Sequence, residues 1–420
     1  MTKNNIMRRY KSLLILTLAA ALIHPRGADA RINMPAYSAD ALTTVSNTEN
    51  YAGMNHMLRI LRASMYSRSE ILAEIAGNRY AGTEPQAYSI LCDVVMNTPG
   101  YVGKMNQFLK DNPQSALAAQ IRFCHASNLF DEGRYAEALE VFDILSTKKI
   151  AKCDRSEYLF KKGYCSLENG NSSRALDLLI QVDRLPLTDF TAPARYTMGY
   201  IHYTNSDFEE AIKWFEQSAK DDRFTEISDY YLLECHFMLK DYEYVTDKGI
   251  KMYEAVPEGR KPHLARIISE SYLVLGDPVN ARKYYNFNQQ EGGKPKTRAD
   301  WFYSGSVLYA VEDYKGAIDN FNMMGMRADS IGQIANYHLG YSYIQTKNKV
   351  AALDAFKDAA MVHFDEDMAQ DAYFNYAKLA FDLNTDTSVF RDYLQKYSDV
   401  AQGDRINAYI AVAALYNRDY

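Results

Sequence analysis

Apolar and polar positions along most of this chain recur with two superposed periods. The short one is helical, because apolar residues return every three or four positions, as one face of an α-helix requires. The long one spans 34 to 37 residues. In it, a Gly, Ala or Ser is followed twelve residues later by Ala or Val and four further on by a large, usually aromatic residue. Ala126, Ala138 and Phe142 fit, as do Gly163, Ala175 and Leu179, and then Gly199, Ala211 and Phe215. Ser269, Ala281 and Tyr285 follow, then Gly305, Ala317 and Phe321, then Gly340, Ala352 and Phe356, and finally Ala377, Val389 and Tyr393. One unit, Leu233, Val245 and Gly249, keeps the spacing and loses the residue types.

This spacing predicts eight antiparallel helix hairpins, each with a helix A and a helix B. The small residue in mid-helix A is expected to face the small residue early in helix B, so that the backbones approach, and the large ring fills the gap to the next hairpin. Between the helices the chain places Glu132-Gly133-Arg134-Tyr135, Asn205-Ser206-Asp207-Phe208, Leu275-Gly276-Asp277 and Glu312-Asp313-Tyr314. Gly, Asn and Asp end helices and tolerate turn conformations. A single hairpin cannot bury its own apolar face, so the units must stack. Residues 31–110 are less regular. Tyr51 to Arg62 and Tyr101 to Lys110 read as B-type helices without the small residues, and the stretch reads as degenerate repeats capping the array behind a short leader at 31–36. Ala408 to Leu415 reads as helix A of a further unit and Arg418 to Tyr420 as its turn, so 401–420 reads as a truncated repeat and the chain as the N-terminal part of a longer protein.

The unit resembles the tetratricopeptide repeat (TPR), whose pattern joins a Gly in helix A to an Ala and a Phe in helix B. Gly199 to Phe215, GYIHYTNSDFEEAIKWF, and Gly340 to Phe356, GYSYIQTKNKVAALDAF, carry the resemblance most closely. It covers roughly residues 111–400. Phe108-Leu109-Lys110-Asp111-Asn112-Pro113 resembles the helix-B ending common in TPR proteins of Gram-negative envelopes. The chain as a whole is similar to long exported TPR proteins of the Bacteroidetes type. The resemblance implies an all-α fold, a right-handed α-solenoid of antiparallel hairpins whose A helices line the concave surface. It brings no catalytic residues with it.

Composition adds location. In the 420-residue chain, 47% apolar and 24% charged residues are ordinary for a folded protein, but 34 Tyr are not. Lys3, Arg8, Arg9 and Lys11 precede an apolar stretch from Ser12 to Ile23, which is too short to span a bilayer, and Ala28-Asp29-Ala30 supplies a cleavage pattern. Residues 1–30 therefore read as a signal peptide cut after Ala30. The mature chain is expected in the periplasm, with association with the outer membrane left open, and with no membrane span. Its loss removes five of the 47 Lys and Arg and one of the 53 Asp and Glu, leaving 42 against 52, a net charge of −10. Lys and Arg do not cluster, which argues against nucleic acid as a partner. Of the five Cys, Cys124, Cys165 and Cys235 fall in apolar helical stretches and read as buried thiols; a Cys153–Cys165 bridge stays open.

No HExxH, GxSxG or GxGxxG occurs, and Gly292 to Thr297 lacks the spacing of a phosphate loop and reads as a linker. Cys124-His125 and Cys235-His236 are neighbours on a helix and point about 100° apart, unsuited to sharing a metal. His202, His236 and His338 read as packed or partly exposed helix-A residues. No cofactor or metal is called for, and the chain reads as no enzyme. One pattern points to binding. The fifth residue of helix A is Phe123, Phe160, Tyr196, Tyr230, Arg266, Phe302, Tyr337 and Phe374 in successive units. Tyr164, Tyr200 and Tyr341 stand one turn on, and Phe130, Tyr203, Phe237, Tyr309 and Phe381 two turns on. Two readings follow: a ladder of rings lining a groove for a partner, or rings packed between adjacent A helices. The candidate groove residues are Phe160, Tyr164, Tyr196, Tyr200, Tyr203, Tyr230, Phe237, Arg266, Tyr309, Tyr337 and Tyr341. Arg266 and Lys378 are the cations expected on that face, too few for a clamp on an acidic tail, so an apolar or aromatic segment is the expected ligand. Function is then expected to be a scaffold for envelope proteins or peptide segments, or else an N-terminal docking region of a larger exported enzyme or secretion machine. Oligomeric state is not encoded legibly.

Overall fold

Helices form where the short apolar period predicts them. The computed structural model describes residues 84–95, 97–290, 294–325, 327–384, 386–397 and 403–417. The expected signal peptide and its cleavage site, the leader at 31–36, the helix at 51–62, the first part of the Gly292–Thr297 linker and the turn at 418–420 lie outside the described residues. Among the described residues there are nineteen α-helices and no strand. The first two are α1 (Glu84–Val95) and α2 (Tyr101–Asp111). A and B helices then alternate: α3 (Ala118–Asp131) and α4 (Tyr135–Ile144), α5 (Arg155–Glu168) and α6 (Ser172–Asp183), α7 (Thr191–Thr204) and α8 (Phe208–Ser218), α9 (Thr225–Met238) and α10 (Tyr242–Ala255). They continue as α11 (Lys261–Leu275) and α12 (Pro278–Gln290), α13 (Arg298–Ala310) and α14 (Tyr314–Met323), α15 (Ser330–Gln345) and α16 (Lys349–Ala360), α17 (Glu366–Asn384) and α18 (Ser388–Lys396), and α19 (Gly403–Asn417). The helices fall into two compact units, residues 84–235 and 236–417, with the boundary inside α9.

Within a hairpin the small residue of helix A faces the ring of helix B rather than its Ala. A Cβ placed on Gly199 would stand 2.9 Å from the Phe215 ring, on Gly305 2.6 Å from Phe321, and on Gly340 2.7 Å from Phe356. Real Cβ atoms do not sit that close, so only glycine admits the ring. Where Ser269 replaces glycine, its hydroxyl donates to the Ala281 carbonyl of α12 at 2.7 Å. The rings then reach the next hairpin, as expected. Phe142 packs on Tyr158 at 5.8 Å, Phe215 stacks on Tyr231 at 5.3 Å and Phe321 lies against His338 at 5.9 Å. Ala138, Ala175, Ala211, Ala281, Ala317 and Ala352 are fully buried at the same contact. Cys153 and Cys165 remain free thiols, as do the buried Cys124 and Cys235.

The turns inside the hairpins repeat one construction. In α7–α8, Ser206 donates its amide to the Tyr203 carbonyl and Asp207 to that of His202, which closes helix A in a Schellman motif. The same pair of bonds recurs at Lys240 and Asp241, at Gly276 and Asp277, at Glu312 and Asp313, and at Lys347 and Asn348. At four of these five turns, all but the one at Asp207, the second residue then caps helix B. Asp241, Asp277, Asp313 and Asn348 each accept an amide three residues on. The first residue must be left-handed, and Ser206, Lys240, Glu312 and Lys347 have φ of 62°, 67°, 63° and 64°. That conformation costs a residue with a Cβ about 1–2 kcal/mol. Lys347→Gly is therefore expected to stabilise the protein by about 0.5–1 kcal/mol, after allowing for the greater freedom of glycine in the unfolded chain. Chemical unfolding of the two proteins checks the sign.

Candidate functional site

In each unit consecutive A helices touch: α3 with α5 and α5 with α7, then α11 with α13, α13 with α15 and α15 with α17. Among the described residues no two consecutive B helices within a unit approach as closely. The A helices therefore lie on the inner side of each unit's curve, where a ladder of rings was expected.

The rings are there, mostly as packing between hairpins. Phe160 is buried against Phe190 at 5.6 Å, and Tyr164 against Phe130 and Tyr135 at 5.5 and 5.4 Å. Tyr196 is buried between Phe215 and Phe224, and Tyr200 against Tyr231. Phe237 is buried on Tyr242, and Tyr337 on Phe356. Four candidate rings keep a half-buried surface: Tyr203, Tyr230, Tyr309 and Tyr341. Tyr309 stacks on His338 at 4.2 Å, and burial pushes that imidazole down to about 4, so it is neutral at physiological pH. His202 and His236 instead pair through Nδ1 with Asp207 and Asp241, each at 2.9 Å. Among the described residues no cluster of His, Cys, Asp or Glu could hold a metal ion.

The polar tips of these side chains are engaged by carboxylates of an adjacent repeat. Tyr203 donates its hydroxyl to Glu234 at 2.6 Å, 31 residues away. Tyr337 and Tyr341 both donate to Asp371, at 2.6 and 3.1 Å, and Asn375 donates to the Tyr341 oxygen at 3.2 Å. Burial, then the Asp371 charge, pushes the Tyr341 phenol up to about 12. Lys161, buried, sits between Asp131 and Glu157 at 3.1 Å from each. Burial lowers its pKa, but Glu157 and Asp131 outweigh that and hold it above the usual lysine value. Arg266, expected as a cation on the groove, is likewise consumed. It donates to Glu270 at 2.8 Å, pairs with Asp300 of the next A helix, and lies 5.1 Å over the Tyr303 ring. Burial raises the pKa of Glu270, with Arg266 opposing it, and its Oε2 has no hydrogen-bond partner. These acidic partners were not singled out in the sequence. Their signal is a carboxylate one repeat away, 30 to 34 residues after the tyrosine or arginine it binds and 30 residues before Lys161.

Residues 192–220, which span α7 and α8, match the sequence model of the tetratricopeptide repeat. The chain carries tetratricopeptide repeats. The hairpins around Gly305 and Gly340 reproduce the small-residue-to-ring contact of the matched one. No curated protein sequence matches the chain. Among solved structures, it is similar to the C-terminal part of a TPR repeat-containing protein from Cytophaga hutchinsonii, with 17% identity and a TM-score of 0.43 over 60% of this chain and 98% of that one. It is also similar to a tetratricopeptide repeat protein from Parabacteroides merdae, with 13% identity and a TM-score of 0.37 over 62% and 99%. The TPR fold is one that binds protein partners and is typically non-catalytic. Among the described residues no helix is long and apolar enough to cross a membrane.

The TPR seam at Arg266 has a measurable consequence. Arg266→Met leaves Glu270 buried without its counter-charge, which costs about 3–5 kcal/mol at neutral pH. The native pKa of Glu270 is already raised, so the folded protein binds its proton more readily than the unfolded chain does. Stability tied to that proton is present at acid pH and lost as pH rises through the native pKa. The deficit of the variant is therefore expected to shrink on acidification, and urea unfolding at pH 7 and pH 5 reads it.

Proposed function

We propose that this TPR chain is a non-catalytic scaffold of the cell envelope, exported to the periplasm, that holds partner proteins or extended segments against its A-helix side. The observation that carries this reading is the seam between A helices. Tyr203, Tyr337, Tyr341, Lys161 and Arg266 are each tied to an acidic residue, on a neighbouring A helix in every case. Ordered side chains of this kind lose little conformational freedom when a partner binds, which favours affinity. Half-buried tyrosine edges at Tyr203, Tyr230, Tyr309 and Tyr341 supply aromatic contact of the kind common at hot spots. The charged n-region, short apolar stretch and Ala28-Asp29-Ala30 support export.

A photo-crosslinking amino acid placed at Tyr203 or Tyr341 in cells is expected to capture protein, while the same group at Glu216 or Lys357 on the B helices is not. Capture confined to the B helices contradicts the assignment of the binding side. The intact mass of the exported protein is expected to correspond to a chain starting at Arg31; a mass retaining residues 1–30 contradicts signal cleavage.

A further inference from the structure

The passage from α4 to α5 is the longest connection from a B helix to the next A helix in the unit 84–235. It takes residues 145–154, against 112–117, 184–190 and 219–224 at the neighbouring hairpins. Two 3-10 turns, Thr147–Lys149 and Lys152–Asp154, give it shape. Leu145 and Ile150 are buried and fasten it to the core, and the Tyr158 hydroxyl donates to the Leu145 carbonyl at 2.9 Å. With Ile150 turned inward, Lys148, Lys149 and Lys152 on either side of it stand exposed. The next connection, from α6 to α7, lies beside this one: the hydroxyls of Ser156 and Thr188 meet at 2.5 Å. Arg184, at the start of that connection, is exposed as well.

This rim reverses the charge of the chain. Residues 144–155 and 184–190 hold Lys148, Lys149, Lys152, Arg155 and Arg184 against Asp154 and Asp189, five cations to two anions, or +3 in a mature chain of −10. Asp154 is buried. Asp143, in the last turn of α4, is neutralised by Lys162 at 3.0 Å and by Arg174. Among the described residues Lys148, Lys149, Lys152 and Arg184 enter no ion pair. The cluster is too short to stand out in the sequence, and the fold enlarges it by joining two loops. Charge elsewhere on the chain is screened beyond about 8 Å at physiological salt, so the local sign governs what approaches this rim. Apolar side chains stand among the cations. Ile144 is 68% and Leu187 74% exposed, the two most exposed large apolar side chains among the described residues of the unit.

A nucleic acid or an acidic protein tail satisfies the lysines but leaves Ile144 and Leu187 in water. A bilayer of anionic phospholipid satisfies both, because its phosphates lie directly over hydrocarbon. The geometry points to this rim as a docking surface for an anionic phospholipid membrane, with Lys148, Lys149, Lys152 and Arg184 in the phosphate layer and Ile144 and Leu187 reaching past it. Each lysine held near such a surface raises affinity about fivefold. Neither a few charges nor two apolar side chains suffice alone, and the combination gives reversible attachment rather than insertion. The rim lies at the loop ends of the hairpins, separate from the aromatic A-helix side, and it adds a lipid surface to the protein partners proposed there.

The probe is a vesicle of phosphatidylcholine with or without phosphatidylglycerol, and co-sedimentation of the full-length mature protein reads binding. The protein is expected on the vesicles that contain phosphatidylglycerol and not on phosphatidylcholine alone. Lys148→Glu with Lys149→Glu is expected to weaken binding about tenfold or more. Lys213→Glu with Lys357→Glu makes the same charge change on the exposed faces of α8 and α16 and is expected to leave binding nearly unchanged. Ile144→Ser with Leu187→Ser keeps the charge and is expected to weaken binding severalfold. Thermal melting by circular dichroism confirms that the variants fold. Equal losses from the two lysine pairs would mean that the vesicle senses only net charge, and the site would be abandoned. Full binding by the Ile144→Ser, Leu187→Ser protein would mark the rim as a surface for any polyanion and overturn the lipid assignment, as would equal binding to both kinds of vesicle. Crosslinking at Tyr203 and Tyr341 is read independently, so failure of this rim and failure of the A-helix scaffold are distinguishable.

Discussion

Three of the hairpins depend on one close contact, a ring on helix B pressed against a backbone that lacks a side chain on helix A. At Gly305 and Gly340 the ring occupies the space where a Cβ would be. That contact sets how near the two helices lie. At Phe215 and Phe321 the same ring then meets the next A helix, at Tyr231 and His338, so the spacing within a hairpin also sets the spacing between hairpins. A repeat array built this way has its stability distributed over neighbour contacts, and no hairpin holds its shape alone.

Two polar devices accompany the apolar one. The Schellman turn orients helix B as soon as helix A ends, with one residue serving both as the end of A and as the cap of B. The seam of tyrosines, Lys161 and Arg266 with carboxylates aligns one A helix with the next. Buried pairs of this kind contribute little net stability, because desolvation offsets attraction, but breaking one leaves an expensive orphan. Their effect is on register: a hairpin displaced along its neighbour would leave Asp371 without two tyrosines and Asp300 without Arg266.

Much of the fold was legible in the chain, because Gly, Ala and Phe at fixed offsets report a steric fit directly. Turns were legible for a similar reason, as Gly276-Asp277 and Glu312-Asp313 combine an αL residue with a cap. The weak unit shows how tolerant the pattern is: Leu233 takes the small position and Gly249 the large one, and both are buried. The site was harder to read. Helical periodicity places Tyr196 and Tyr337 on a face, but only the adjoining hairpin decides whether that face is covered, and it is. The carboxylates that engage Tyr203 and Tyr341 lie a full repeat away and have no fixed residue type.

The central claim, that a ring filling the place of a Cβ sets the hairpin, is tested most directly by the unfolding free energy of Gly305→Ala in the native and Phe321→Leu backgrounds. Helix propensity alone favours Ala over Gly by about 1 kcal/mol. The close contact opposes it, because a Cβ would stand 2.6 Å from the Phe321 ring. Overpacking of this kind costs about 1–3 kcal/mol. The account predicts that Gly305→Ala destabilises the protein and that the loss shrinks or reverses once Phe321 is Leu. A stabilised Gly305→Ala protein, or an equal effect in both backgrounds, would contradict it.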